Sequence, residues 1–374
     1  MKRIIEVKSA RDINRFIKFP LKLYKNSEYY VPILIGDEKK IFKKDYIYNV
    51  TCDVVFYLCV DETNKVLGRI EGIIQKAANK KWEQSRVRFT RFDLINDQEV
   101  ANMLLDAVSE WGKARGMNEL VGPLGYSDLE REGLLIEGFD KIQTYEEQYN
   151  FDYYQKLIEN YGLIKDVDWL EYKLKAPEKI DERLEPVTNK ALEKYGLSVY
   201  QPTSIKKFIK DYKEKFFEII DVTYNKIYGT VPFTKGMMDS SISSFNLLLR
   251  PQDVVVVKTD KDEIVGFCLV FPSISKIVTK YKGKIGLRFL FEFFKNKKNP
   301  RIIDLGLIGV LPEYTIKGVA PALVLALQKQ FIGHNIEHLE TNLMLEENHN
   351  ILGLMSNFEK EFAKKRRCYV KKIC

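Results

Sequence analysis

The chain has 374 residues, 45% hydrophobic and 30% charged, a composition that fits a globular protein and excludes disordered and fibrous classes. No run reaches the about 18 apolar residues of a membrane span, and the start, MKRIIEVKSARDINRF, returns to charge too soon for a signal peptide; a cytoplasmic location without a membrane partner is expected. The net charge of +8 is spread among acids, as in YKEKFFEII; the basic clusters KNKKNPR and KKRRCYVKK are exceptions, read as solvated surface first and as an attraction for an anionic ligand such as a cofactor phosphate second, and nucleic acid is not expected as a partner.

At this length two cores are expected. The five cysteines include Cys52, Cys59 and Cys268 on apolar, strand-like stretches and Cys368 and Cys374 near the end, with no disulfide framework. His334, His338 and His349 do not share one face, so no metal site is expected.

In chain order, DVVFYLCVDETNKVLGRIEGII from Asp53 reads as a β-hairpin with Gly68 in its second strand. RVRFTRFDLI follows as a strand. DQEVANMLLDAVSEWGKARG is then a helix with Asp97 as its N-cap and Gly116 at its end. The stretch from Val121 to Asp140, VGPLGYSDLEREGLLIEGFD, is rich in glycine and acids; it is read as turns in preference to a cleft wall. The helix DYYQKLIENYG ends at Gly162, and the charged KAPEKIDERLEPVTNK connects to a second half. Boundaries are placed at 1–175, a linker at 176–190, and 191–374.

The second half repeats the first. DVVVVKTDKDEIVGFCLVF is again a hairpin, with Gly266 where Gly68 stood. KIGLRFLFEFFKNKK places Leu287, Leu290, Phe291 and Phe294 at helical spacing, a stripe read as packing on the neighbouring domain in preference to a lid or a membrane-surface helix. RIIDLGLIGV is a strand with Gly306 and Gly309 inside it, and GVAPALVLALQKQF a helix. EHLETNLML is a strand, NILGLMSNFEKEFAKK is helical, and RCYVKKI is a closing strand.

The repeated order, with Lys317, Gly318, Val319 and Ala320 between a strand and an apolar helix, resembles the GNAT (acyl-CoA N-acyltransferase) superfamily, as a bacterial protein with two such domains. The resemblance implies a mixed α/β fold (α+β, mixed sheet), with two tandem GNAT-like domains, each a central mixed sheet flanked by helices. In that family the loop has the form Q/R-x-x-G-x-G/A and cradles the pyrophosphate of acetyl-CoA or another acyl-CoA with backbone N–H groups at a helix N-terminus; here Thr315 replaces the leading Arg or Gln. A bulge at Gly306 and Gly309 would open the strand, so that Ile308, Gly309 and Val310 meet the pantetheine arm and a backbone N–H polarises the thioester. Asn348 matches an Asn before the last helix. The first half has only Asn96 and Asp97 between strand and helix and so lacks the cradle.

For acyl transfer to an amine, alternation in HLETNLMLE puts His338, Glu340, Asn342, Met344 and Glu346 on one face, making Glu340 and Glu346 candidate bases. Asp304, in an apolar run, is a third. The family's helix Tyr acid is missing, Met355 and Phe358 standing nearby; Tyr369 or Tyr314 could replace it. The leading expectation is a CoA-dependent N-acyltransferase using no metal and acting on a small-molecule or peptide amine, with the oligomeric state left open. The alternatives are a ligand-binding scaffold that has lost its chemistry and an aminoacyl-tRNA-dependent peptidyl transferase.

Overall fold

The computed structural model describes residues 1–180, 182 and 184–373; Asp181 and Arg183, in the expected linker, and Cys374 lie outside the described residues. The first half runs β1 (Arg3–Glu6), α1 (Ala10–Leu23), α2 (Ile35–Lys40), β2 (Cys52–Val60), β3 (Val66–Gln75), α3 (Lys76–Lys81), β4 (Arg86–Leu94), α4 (Gln98–Lys113), β5 (Glu119–Gly122), β6 (Leu134–Glu137), α5 (Tyr153–Asn160) and β7 (Ile164–Lys175). The second half runs α6 (Leu184–Lys194), β8 (Leu197–Tyr200), α7 (Ile205–Tyr224), α8 (Lys235–Leu248), β9 (Val254–Thr259), β10 (Ile264–Pro272), α9 (Ser275–Lys280), α10 (Leu287–Lys298), β11 (Ile302–Val310), α11 (Val319–Phe331), β12 (His338–Glu340), β13 (Met344–Leu345), α12 (His349–Leu354) and β14 (Lys360–Lys372).

Both hairpins form where apolar strands flank polar turns: β2 pairs antiparallel with β3 and β9 with β10. The matched glycines lie where the following helix presses on the sheet. A Cβ on Gly68 would come within 2.8 Å of Leu104 on α4, and one on Gly266 within 2.6 Å of Val319 on α11. Asp97 caps α4, accepting from the N–H groups of Glu99 and Val100, and Gly116 takes a φ of +79° after its end.

The strands form one sheet in the order β1-β2-β3-β4-β5-β14-β7-β12-β11-β10-β9-β8. The two halves therefore exchange their last strands. β14, from the end of the chain, lies antiparallel between β5 and β7, and β7 lies antiparallel to β12. The short β6 and β13 attach symmetrically, β6 to β14 and β13 to β7. A division after Lys175 falls at the end of β7, yet the hydrogen-bonded ladder runs unbroken across it.

The stretch from Lys360 to Lys365, expected as helix, is strand. β14 meets β7 over ten registered pairs between Lys360 and Val370, and this pairing overrides a charged, helix-compatible sequence. The basic run that follows is not solvated surface: Lys364 and Arg366 are among the most buried side chains in the molecule. The expected strand 337–345 is broken after Glu340, so Met344 is buried with the core instead of sharing the polar face. The edge strands β1 and β8 were not expected. The linker's second part is helix, since α6 packs on α11 with Glu185 bonded to Lys329 at 2.5 Å. Among the described residues no helix is long and apolar enough to cross a membrane.

Because β14 belongs inside the first half's ladder, residues 1–175 expressed alone are expected not to fold. The full chain should melt in one cooperative transition, and calorimetry of both samples checks this.

Candidate active site

β11 is where the sheet opens. It pairs in parallel with β12 from Ile302↔His338 to Asp304↔Glu340, and among the described residues no ladder partner continues on that edge from Leu305 to Val310. On its other edge the β10 register slips between Cys268 and Val270, leaving Gly306 and Leu307 opposite Leu269 alone, a bulge on β11. Both glycines also make room. A Cβ on Gly306 would lie 2.2 Å from the Phe271 ring, and one on Gly309 would lie 2.9 Å from Phe267 and 3.0 Å from the Thr223 hydroxyl.

The backbone N–H expected to be free on that edge is bonded. Ile308 N–H donates to the hydroxyl of Tyr224, at the end of α7, over 3.2 Å, and that hydroxyl lies 3.1 Å from the Ile308 carbonyl oxygen. Burial lifts the Tyr224 pKa, keeping the phenol protonated. The sequence reading missed Tyr224. In the sequence it stands four residues after Ile220 and seven after Phe217, on the apolar face of α7, where a tyrosine reads as core.

At the loop, Gly318 has φ +80° and is the N-cap of α11 with no side-chain cap, so the first N–H groups of the helix are left for another acceptor. Packing as well as backbone conformation calls for glycine here. A Cβ there would lie 2.7 Å from Ala191 on α6. Val319 is fully buried core, and Lys317 lies 4.2 Å over the Tyr314 ring. Thr315, Ala320, Ile308, Gly309, Val310 and Asn348 do line the central cavity, and Asn348 also caps α12 through the Ile351 N–H.

Of the candidate bases, only Asp304 lines that cavity. Burial first, and then the neighbouring charge of Glu340, hold its carboxyl well above the usual range, and its Oδ1 is buried without a hydrogen-bond partner. Its surroundings therefore favour the protonated form over the carboxylate. Glu340 is bonded instead to His338 at 3.2 Å and approaches Lys364 at 3.5 Å. Glu346 pairs with Lys165. Tyr369 is buried in the first half's core with its hydroxyl 3.1 Å from Glu159, and Tyr314 does not line the cavity, so neither serves the site.

The cavity, of about 990 Å³, connects both halves. The second half lines it with Phe217, Ile220, Phe245, Leu248, Phe271, Ile274 and Val324. The first half contributes charge, much of it from the segment read as turns: Asp128, Glu130, Arg131 and Glu132 all face the cavity, so that segment is a wall. Burial pushes Asp128 up to about 6. It pushes Glu132 well above the carboxylate range, helped by the charge of Asp128, and Glu132 Oε2 is buried with no partner. Glu146, also lining the cavity, is raised to about 7 by burial. Carboxyls separated in this way can divide acid and base roles.

The first half has the same bulge in a different use. The β3–β4 register slips between Arg69 and Glu71, which puts Arg91 and Phe92 opposite Ile70, with Arg91 at φ +46°. Arg91 bonds Glu71 at 2.7 Å and Glu38 at 3.1 Å, and Arg69 bonds Glu38 at 2.8 Å and Asp93 at 2.7 Å. Ion pairs thus tie the bulge of β4 to β3 and α2. Among the described residues no group of three or more His, Cys, Asp or Glu could hold a metal.

No family model matches the chain. Over their full lengths, a tandem GNAT protein from the clavulanic acid biosynthesis pathway superposes with TM-score 0.55 at 10% identity, covering 100% of this chain and 99% of that one. The chain has a tandem GNAT fold. A GCN5-related N-acetyltransferase from Sphaerobacter thermophilus (TM-score 0.51, 10% identity, 100% and 96% covered) and a probable N-acyltransferase from Enterococcus faecalis V583 (TM-score 0.52, 7% identity, 100% and 73% covered) agree with this tandem GNAT architecture. Among curated proteins the chain is 23% identical over 376 residues to the protein YghO of Escherichia coli K12, covering 98% of this chain and 94% of that one. It is also 23% identical over 284 residues to the bacterial ceramide synthase of Caulobacter vibrioides, covering 75% and 73%.

Beside the site, Lys364 joins the exchanged strands by bonding Glu147 at 2.9 Å and Glu171 at 2.8 Å. Lys364→Met would leave both carboxylates buried without that cation, and a loss of about 3–5 kcal/mol in urea unfolding is expected.

Proposed function

We propose that this protein is an N-acyltransferase that moves a fatty acyl group from acyl-CoA to the amine of a long-chain lipid. The observation that carries the reading is one continuous cavity, joining the open edge of β11 to a wall of carboxylates through aliphatic and aromatic lining. In this reading Thr315, Ala320 and the uncapped N–H groups at the start of α11 receive the pyrophosphate, and Lys317 adds charge nearby. The arm follows Leu305–Val310 past Asn348. The acyl chain lies among Phe245, Leu248, Phe271 and Ile274, and the acceptor's ammonium is drawn to the first half's acids.

Attack forms the C–N bond and breaks the C–S bond. Asp128, anionic above about pH 6, takes the proton from the amine. In this reading the substrate carbonyl takes the place of the Tyr224 hydroxyl on the Ile308 N–H, which then donates to the oxyanion, and the displaced hydroxyl returns a proton to the leaving thiolate and regains one from water. Asp304, whose burial favours the protonated form, stands further along the same edge. The Caulobacter relative's name is consistent with this chemistry, since a ceramide is an amide of a fatty acid with a long-chain amino alcohol.

Calorimetry with palmitoyl-CoA and acetyl-CoA tests the first step: saturable binding is expected, stronger for the longer chain and abolished in Ala320→Glu. No binding at millimolar ligand would sink the reading. With a long-chain amino alcohol as acceptor and product read by mass spectrometry, Tyr224→Phe and Asp128→Asn are each expected to retain binding while turnover falls by about 10²–10⁴-fold. The wild-type rate should rise with pH through about 6 as Asp128 loses its proton, and Asp128→Asn should remove that limb.

A further inference from the structure

The apolar stripe of α10 does not pack on a neighbouring domain. Phe289 and Phe293, on the other face, do the packing, against Val31, Ile274, Ile277 and Val278. Leu287 is 88% exposed, Phe291 72%, Phe294 54% and Leu290 39%, and Ile285 just before the helix is 57% exposed. These residues stand at helical spacing on one outward face. Leu247, at the end of α8, extends the patch: it is 53% exposed, and its carbonyl accepts from Lys297 Nζ at 2.6 Å.

The charge around this face is concentrated. Residues 280–301 hold eight Lys or Arg and one acid, Glu292, a net +7 in a chain whose total is +8. Glu292 is already bonded to Lys280 at 2.6 Å and to the Tyr281 hydroxyl at 2.9 Å. Lys282, Lys284, Arg288, Lys295 and Lys298 are exposed beside the apolar side chains. An exposed aromatic and aliphatic face ringed by cations is complementary to a surface with an acyl interior and anionic headgroups. The patch also backs directly onto the cavity, because Ile274 packs under Phe289 and Phe293 and lines the cavity on its other side.

We propose that α10, with the end of α8, docks the protein on an anionic lipid membrane, inserting Leu287, Phe291 and Phe294 at the headgroup boundary. The proposal does not depend on the acyl-transfer reading, because it concerns a surface and is tested without turnover. The test is co-sedimentation of the full chain with vesicles of phosphatidylcholine alone and of equimolar phosphatidylcholine and phosphatidylglycerol, at low and high salt. Binding to the anionic vesicles, weakened by salt, is expected, with a loss of about ten-fold or more in Leu287→Ser/Phe291→Ser/Phe294→Ser. The wild-type residues are exposed, so the triple variant should keep the parent melting temperature. A Lys295→Gln/Lys298→Gln variant should lose only the salt-sensitive part. Absence of wild-type binding to anionic vesicles, or equal binding by the triple variant, would overturn the proposal. So would a wild-type dimer that the triple variant abolishes, which would assign the face to a second copy of this chain.

Discussion

The rest of the molecule depends on the pairing of β7 with β14. Each strand belongs to one half by chain order and fills the sheet of the other, so neither half closes its ladder alone. At the crossing, Lys364 and Arg366 lie buried among Glu147 and Glu171, with Arg366 Nε 2.6 Å from Glu171. Burying ions is expensive unless they are paired and hydrogen-bonded, and only the assembled pair of halves brings these partners together. Register is fixed by the same contacts, because a one-residue slip would turn the cations to the opposite face.

Duplication with divergence follows from this frame. Both halves have a strand bulge opposite one residue of the preceding hairpin strand, and both have a parallel pair that stops just before it. In the second half the bulge holds glycine and the edge stays open to a cavity. In the first half it holds Arg91, whose guanidinium is tied to Glu71 and Glu38. The first half thus brings most of the cavity's charged groups, together with aliphatic residues such as Ile17, Leu21 and Ile33, to face the open edge of the second.

Much of the repeat was legible in residue order. Alternating apolar strands around DETN and DKDE turns, glycines at equivalent positions, and Asp97 and Gly116 at the ends of a helix are local signals, and local hydrogen bonding and sterics make them reliable. The region around β14 was not legible. EKEFAKK satisfies helical spacing, and only a partner strand nearly two hundred residues away makes it extended. The exposed stripe on α10 was misread for a related reason: both faces of that helix carry large apolar side chains, and sequence spacing does not say which face meets the core.

The sequence by itself determined the paired hairpins and the strand-loop-helix around Gly318, because strand alternation, turns and helix starts rest on contacts between near neighbours in the chain, whereas the bulge of β11 is set by its register against β10. Only the tertiary structure decided which polar groups meet in the cavity. Tyr224 reaches Ile308 across 84 residues, while Asp128 and Glu132 come from a segment whose composition reads as turns. Glu340, Glu346 and Tyr369 were drawn into ion pairs and packing elsewhere. A carboxylate's role is set by its burial and by the charges around it, and both are properties of the folded neighbourhood.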